Sequence, residues 1–302
     1  MRSCIFVLAQ RRVSCKNIEA GLESATRRTG QCAKPKDYDM SILASASKPA
    51  DRAVMVTICG DSGMGKTSLA ATFPKPIFIR AEDGLQAIPA NQRPDALPLV
   101  SSGAILWEQL TALLQEEHDY KTVVIDSVTA LERLFLADVL ASDPKAKSIN
   151  QALGGYGAGT SAVAAMHGRV RKACGLLNER KGMHAVFVAH ADVQTMKLPD
   201  QDDYMRYSLR LPDKSLPPYV DDVDVVAFLR QQMFVTGGDD ERKMARGTGA
   251  RELVCNVSPA NVSKNRYNIT EPMAVKMGEN PLADFIPALA GHNAPKKKDD
   301  TQ

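Results

Sequence analysis

Gly60-Asp61-Ser62-Gly63-Met64-Gly65-Lys66-Thr67 fills every fixed position of the pattern G-x-x-x-x-G-K-[ST]. Before it stands Val54-Met55-Val56-Thr57-Ile58-Cys59, a short apolar and β-branched run that predicts a buried strand. After it, Ser68-Leu69-Ala70-Ala71-Thr72-Phe73 is compatible with a helix until Pro74. Strand, glycine-rich loop and helix in that order form the setting in which such a loop cradles phosphate. Its glycines let the backbone curl so that N–H groups point inward, and the helix N-terminus adds partial positive charge. On this reading Gly60, Asp61, Ser62, Gly63, Met64, Gly65, Lys66, Thr67 and Ser68 line a nucleotide site for ATP. Lys66 reaches the β- and γ-phosphates, and the Thr67 hydroxyl ligates Mg²⁺.

Further along, Lys121-Thr122-Val123-Val124-Ile125-Asp126-Ser127 predicts a second buried strand ending in an acid. Asp126 is the expected second Mg²⁺ carboxylate, the alternative being a helix cap. Many phosphate-loop ATPases carry a catalytic Glu directly after this Asp, but Ser127 stands there, so the base must come from elsewhere or be absent. Pro76-Ile77-Phe78-Ile79-Arg80 predicts a strand leading into Ala81-Glu82-Asp83-Gly84. In a parallel sheet Glu82 sits at the phosphate edge and can take a proton from water, with Asp83 as the fallback. The alternative for Glu82 is a turn residue ahead of Gly84.

Together these residues resemble the RecA-like branch of P-loop ATPases, and more narrowly phage-encoded AAA-type/RecA-like proteins, some of them core-only recombinases. The likeness covers about 50–285. It includes Ile79 to Leu85, His118 to Ser127, Gly155-Tyr156-Gly157, Val188-Ala189-His190, Arg246 to Gly249 and Ala260 to Tyr267. It implies a three-layer α/β sandwich, with a mainly parallel sheet and antiparallel C-terminal edge strands. Met183 to His190 predicts a strand, after a helix over about 161–180, and the resemblance gives His190 the role of a γ-phosphate sensor, the alternative being a strand-end histidine bonded to backbone. The resemblance also implies ATP bound between subunits, with Lys264 or Arg266 of a neighbour completing the site and Arg246 and Arg251 as further candidates; the alternative for Lys264 and Arg266 is a solvated charge pair on a turn. Single-stranded DNA, further copies of the chain and a single-strand-binding protein are the partners it implies. The DNA contacts fall on loops 142–160 and 191–220, where Lys145, Lys147, Lys197, Arg206, Arg210 and Lys214 mingle with Tyr156, Tyr204 and Tyr207. By composition alone both loops also fit plain connectors, because Asp200, Asp202 and Asp203 dilute the charge. Strands over 223–229 and 251–257, joined through the turn signal Gly237-Gly238-Asp239-Asp240, complete the β-rich end.

The expected function is Mg²⁺-dependent ATP hydrolysis coupled to single-stranded DNA in recombination or annealing. The rivals are an ATPase acting on a protein partner, such as a helicase loader, and a nucleotide switch with negligible turnover. No N-K-x-D tetrad supports a GTPase, and no lid with clustered arginines supports a small-molecule kinase.

The 302 residues carry a net charge of +3, unevenly placed: 1–39 contribute +4, 291–302 contribute +1, and the middle is close to −2. That excludes a uniformly basic nucleic-acid coat. Six cysteines show no CxxC pair and no metal-ligand spacing, which fits a reducing compartment. No apolar stretch approaches the roughly 18 residues of a membrane helix, and a cytoplasmic protein is expected, in the bacterial host if phage-encoded. The expected organisation is a disordered leader over 1–49 with Met40 as an alternative start, an ATPase domain over 50–285, and a charged tail over 286–302. Met40 would lie too close to the first strand for a separate N-terminal DNA-binding domain.

Overall fold

The computed structural model describes residues 50–200, 202–236 and 244–290, with isolated positions at 43 and 46–48. The expected leader, the Gly237–Asp240 turn and the tail from 291 lie outside the described residues.

The elements follow in chain order: β1 (Met55–Gly60), α1 (Lys66–Ala70), β2 (Pro76–Arg80), β3 (Asp95–Ala96), α2 (Gly103–Gln115), β4 (Thr122–Asp126) and α3 (Val128–Ser142). Then come α4 (Ala158–Lys181), β5 (His184–Met196), β6 (Tyr204–Leu209), α5 (Pro217–Val220), β7 (Val225–Thr236), β8 (Met244–Val254), β9 (Lys264–Asn265) and β10 (Met273–Val275). The main sheet runs β10-β8-β7-β1-β5-β4-β2-β3. From β7 to β3 it is parallel, while β8, β9 and β10 pair antiparallel at the far side. This is the α/β class expected, with its antiparallel C-terminal strands.

Both faces of the sheet are covered, which is why β1 and β4 are apolar without a polar face. Period-2 alternation divides their side chains. Met55, Cys59, Val123, Ile125 and Phe187 pack beneath α2, α3 and α4, against Leu106, Leu131, Phe135 and Val170. Val56, Ile58, Val124 and Val186 face the other way, onto Leu69 and Phe73 near α1 and onto Leu282, Ile286 and Leu289 of two late 3₁₀ turns. Ile286 and Leu289 are buried, so the packed chain passes the expected boundary at 285 and runs to about 290.

Two helices outside the sequence expectation, α2 and α3, supply much of the first layer. Ser127 caps α3 by accepting from Ala130 N at 3.1 Å. Helix α4 buries Val163, Val170, Cys174 and Leu177 along one stripe and stops at Gly182, whose φ of 64° suits a left-handed C-terminal position. His167 in that stripe is fully buried. It bonds Tyr219 Oη at Nδ1 and Glu132 Oε2 at Nε2, each at 2.8 Å, and Ser215 Oγ donates to the same Glu132 oxygen at 3.2 Å. That polar cluster ties α3, α4 and the 213–220 segment together.

The expected loop 191–220 contains a strand hairpin, followed by a 3₁₀ turn and α5. β5 continues past the sheet edge and pairs antiparallel with β6 from Ala191↔Leu209 to Met196↔Tyr204. Hairpin pairing satisfies the backbone groups that a bare loop would leave to water.

Candidate nucleotide site

Parallel register assembles the site. Gly60 stands opposite His190, and Asp126 lies beside both Val188 and Arg80. The phosphate loop, His190, Asp126 and the Ala81–Gly84 turn therefore share one edge, where the strands end. β5 separates β1 from β4, so His190 stands between the loop and Asp126.

The loop curls through left-handed Gly63 (φ 79°) and Gly65 (φ 88°) into α1. Lys66 Nζ donates to Asp61 O at 2.8 Å and lies 3.4 Å from His190 Nδ1. Burial holds the Lys66 ammonium below its ordinary pKa. Thr67 Oγ1 donates to Asp126 Oδ2 at 2.8 Å. Asp126 is only 2% exposed, and burial lifts its carboxyl to about 6; the Thr67 hydrogen bond opposes that rise and the Glu82 charge adds to it. The Asp126–Ser127 peptide is cis.

Glu82 meets this group from β2. His190 Nε2 is 3.1 Å from Glu82 Oε1, while Nδ1 is 3.3 Å from Ser62 Oγ. An ammonium and a hydroxyl both offer protons to Nδ1, so the consistent neutral tautomer carries its proton on Nε2 and donates it to Glu82. The His190 hydrogen bond, then one from Ser127, hold the Glu82 carboxyl down to about 2 against desolvation. His190 N donates to Thr129 Oγ1 at 3.0 Å, which ties the strand end to α3. Asp83 turns away to pair with Arg80 at 3.1 Å.

The donor set fits a hard divalent cation. Thr67 and Asp126 present oxygens, Asp126 is a buried carboxyl, and the Gly84 backbone passes so close that a Cβ there would lie 3.2 Å from Thr67 Oγ1 and 3.5 Å from Asp126 Oδ2. Among the described residues no cluster of three or more His, Cys, Asp or Glu forms a cage.

Lys264 and Arg266 are not part of this chain's own site. β9 pairs with Val225 and Val226, at the start of β7, whereas the loop leaves β1 opposite Leu229. At that opposite edge Lys264 Nζ donates to Asp221 O at 2.5 Å. Arg266 joins Arg52 on buried Asp224, at 2.9 and 2.7 Å. Arg251, expected from a neighbouring subunit, lies instead on its own chain's loop, its Nη1 donating to Met64 O at 3.2 Å. Arg246 belongs to β8, which pairs it with Phe234. Thr129 and the cis approach of Arg251 carried no sequence signal, because both depend on tertiary register.

Among the described residues no helix is long and apolar enough to cross a membrane. The AAA domain family AAA_24 matches residues 52–267. The SPbeta prophage-derived uncharacterized protein YorG of Bacillus subtilis (strain 168) is 24% identical over 199 residues, covering 64% of this chain and 54% of YorG. The chain thus spans about half the length of that curated relative. Among solved structures, the RadB recombinase is similar at 12% identity and a TM-score of 0.44, over 76% of this chain and 90% of that one. A KaiC-like protein, PH0186 from Pyrococcus horikoshii OT3, is similar at 11% identity and a TM-score of 0.39, over 76% and 88%.

Proposed function

We propose, from the premise that this chain belongs to the AAA domain family and has the α/β fold of a RecA-like P-loop NTPase, that it is an Mg²⁺-dependent ATPase coupled to single-stranded DNA. The observation that carries the proposal is His190, which touches Glu82 with one ring nitrogen and the Lys66–Ser62 side of the loop with the other.

ATP binds with its phosphates in the curl of 60–68, and Lys66 neutralises charge on the β- and γ-oxygens. Thr67 and Asp126 would hold Mg²⁺, which would supply charge neutralisation at the phosphates. Water attacks the γ-phosphorus, Glu82 accepts its proton, and the bond to the ADP oxygen breaks. A carboxylate held near 2 is a weak base, so the Glu82–His190 pair is the resting state. When His190 donates to the γ-phosphate instead, Glu82 is released toward water.

His190 is the last residue before β5 leaves the sheet and becomes the β5–β6 hairpin. Contact at the hairpin therefore acts on the strand that carries the histidine. Exposed Tyr207, half-buried Tyr204 and Arg206 lie on β6. Fully exposed Tyr156 tops the glycine turn 154–157, where Tyr156 itself has a φ of 51°. Rings for stacking beside cations for phosphate suit a single strand. Exposed apolar Val193, Met205 and Val257 support a second reading, in which a protein occupies the same surface, as on a helicase loader.

ATP turnover measured with and without single-stranded DNA across a salt series tests the proposal. Stimulation that fades with rising salt is expected. Turnover indifferent to DNA, with no DNA binding in ATP, overturns the DNA reading in favour of a protein partner. Glu82→Gln is expected to lower turnover by about a hundredfold or more while ATP still binds. Unchanged turnover removes Glu82 as the base.

A further inference from the structure

Arg251 approaches the phosphate loop from the side opposite to every group assigned above. Glu82, His190 and Asp126 come from β2, β5 and β4, on one flank of β1; Arg251 comes from β8, beyond β7, on the other. Register brings it there. Leu229 of β7 stands opposite Gly60, and Arg251 stands opposite Gln231, two residues farther toward the loop. Its guanidinium lies on the loop backbone, with Nη1 bonded to Met64 O and filling the space that a Cβ on Gly65 would need. A glycine is required at 65 both for its φ of 88° and for this contact.

The neighbouring charges are accounted for differently. Glu252, next in the strand, is taken by Arg230 at 2.6 Å, and among the described residues no carboxylate is shown pairing with Arg251. Among the described residues this half-buried guanidinium rests on one neutral carbonyl, a weak partner for a full charge. It gains a charge-assisted, fork-shaped contact when a phosphate oxygen comes within reach.

The orientation of the nucleotide follows from the other flank. In the proposed ATP site Lys66 and His190 meet the γ-phosphate on the β5 side of the loop, with Glu82 facing the attacking water beside it. The opposite end, with the α-phosphate and ribose, must then leave toward β7 and β8. We infer that Arg251 binds the α-phosphate of the nucleotide in its own chain, leaving the Met64 carbonyl to do so. It is thus an affinity residue shared by ATP and ADP, and not a cation acting on the transferred phosphoryl group of a neighbour. The inference rests on the reading of this loop as an ATP site.

The test is equilibrium binding of ATP and ADP to the full chain, together with turnover at saturating ATP, for wild type, Arg251→Ala, Arg251→Met and Arg251→Lys. Arg251→Met keeps most of the side-chain length, and thermal unfolding of each variant checks that it folds. Loss of ATP and ADP affinity by a similar factor, about ten- to a hundredfold, is expected for Ala and Met. Partial recovery in Lys, with turnover within threefold of wild type, is expected as well. Affinities within twofold of wild type overturn the inference. So does a fall in turnover with ADP affinity unchanged, which is the signature of a γ-phosphate contact. If wild type binds neither nucleotide, the ATPase reading fails with it; if wild type binds both and the variants match it, only the role of Arg251 fails.

Discussion

Asp126→Asn should stabilise the metal-free protein while destroying its response to Mg²⁺. Burial lifts the Asp126 carboxyl from 3.8 to about 6. The fold therefore favours the protonated acid, and in metal-free buffer above pH 6 it must carry a charge that the unfolded chain bears without cost. A displacement of that size corresponds to about 3 kcal/mol lost at pH 7.5. Because the folded value lies above the unfolded one, the stability is complete below about pH 4 and disappears as pH rises through 6. Asparagine has nearly the same shape and still accepts from Thr67 Oγ1, which now sits 2.8 Å from the carboxylate. In EDTA at pH 7.5 the variant should melt about 5–10 °C above wild type, a gap that shrinks by about half at pH 5 and to about a fifth at pH 4. With Mg²⁺ and ATP the order should reverse, because the cation stabilises only the carboxylate. The assay is differential scanning fluorimetry from pH 4 to 8, with and without Mg²⁺–ATP. A variant no more stable than wild type at pH 7.5, or a gap independent of pH, refutes the reasoning.

Tyr219→Phe removes the hydroxyl that meets His167 Nδ1 inside the α3–α4 cluster, leaving a buried ring nitrogen unpaired. A loss of about 1–3 kcal/mol is expected, read as a lower urea midpoint at unchanged slope. Tyr156→Ala should weaken single-stranded DNA binding by roughly five- to a hundredfold without changing basal ATP turnover, measured by fluorescence anisotropy. Burial pushes the thiols of Cys59, Cys174 and Cys255 up to about 12. Mass mapping should find them unalkylated in native protein at pH 8 and labelled after unfolding. Because the unfolded thiols ionise from about pH 9 and the folded ones do not, stability should decline as pH climbs past 9.

Much of the edge where these groups meet was legible because each stands at the end of an apolar run. Once β1, β2, β4 and β5 are read as parallel strands, the loop, Glu82, Asp126 and His190 must share one side of the sheet. The 191–209 stretch was harder to read: β5 turns from wholly buried to largely exposed after Ala191, so its outer half has no apolar pattern to distinguish it from loop. Helix α2 did carry a signal, in Leu106, Leu110 and Leu113 at helical spacing. The placement of Arg251 depends on the β7–β8 register, which shifts by a bulge between Gln231 and Met233. A change of one residue there would turn its side chain to the opposite face, and nothing local fixes it. Lys264 and Arg266 show the converse limit. Their charge was plain, but which end of the sheet they occupy is decided by their pairing with the first residues of β7.

The strand order has a bearing on how the polypeptide is made. β1 is the first strand of the sheet to leave the ribosome, yet its two neighbours are β5 and β7, and the second is complete only after Leu229 has been synthesised. At about 5–20 residues per second, the nucleotide-loop strand waits on the order of ten seconds or more with both edges unpaired. Its Val56–Ile58 face then waits longer, for Leu282, Ile286 and Leu289. Fragments ending before β7 leave that strand half-paired, so nascent-chain protease resistance should rise late and steeply, after residue 229 clears the exit tunnel, and not in step with length.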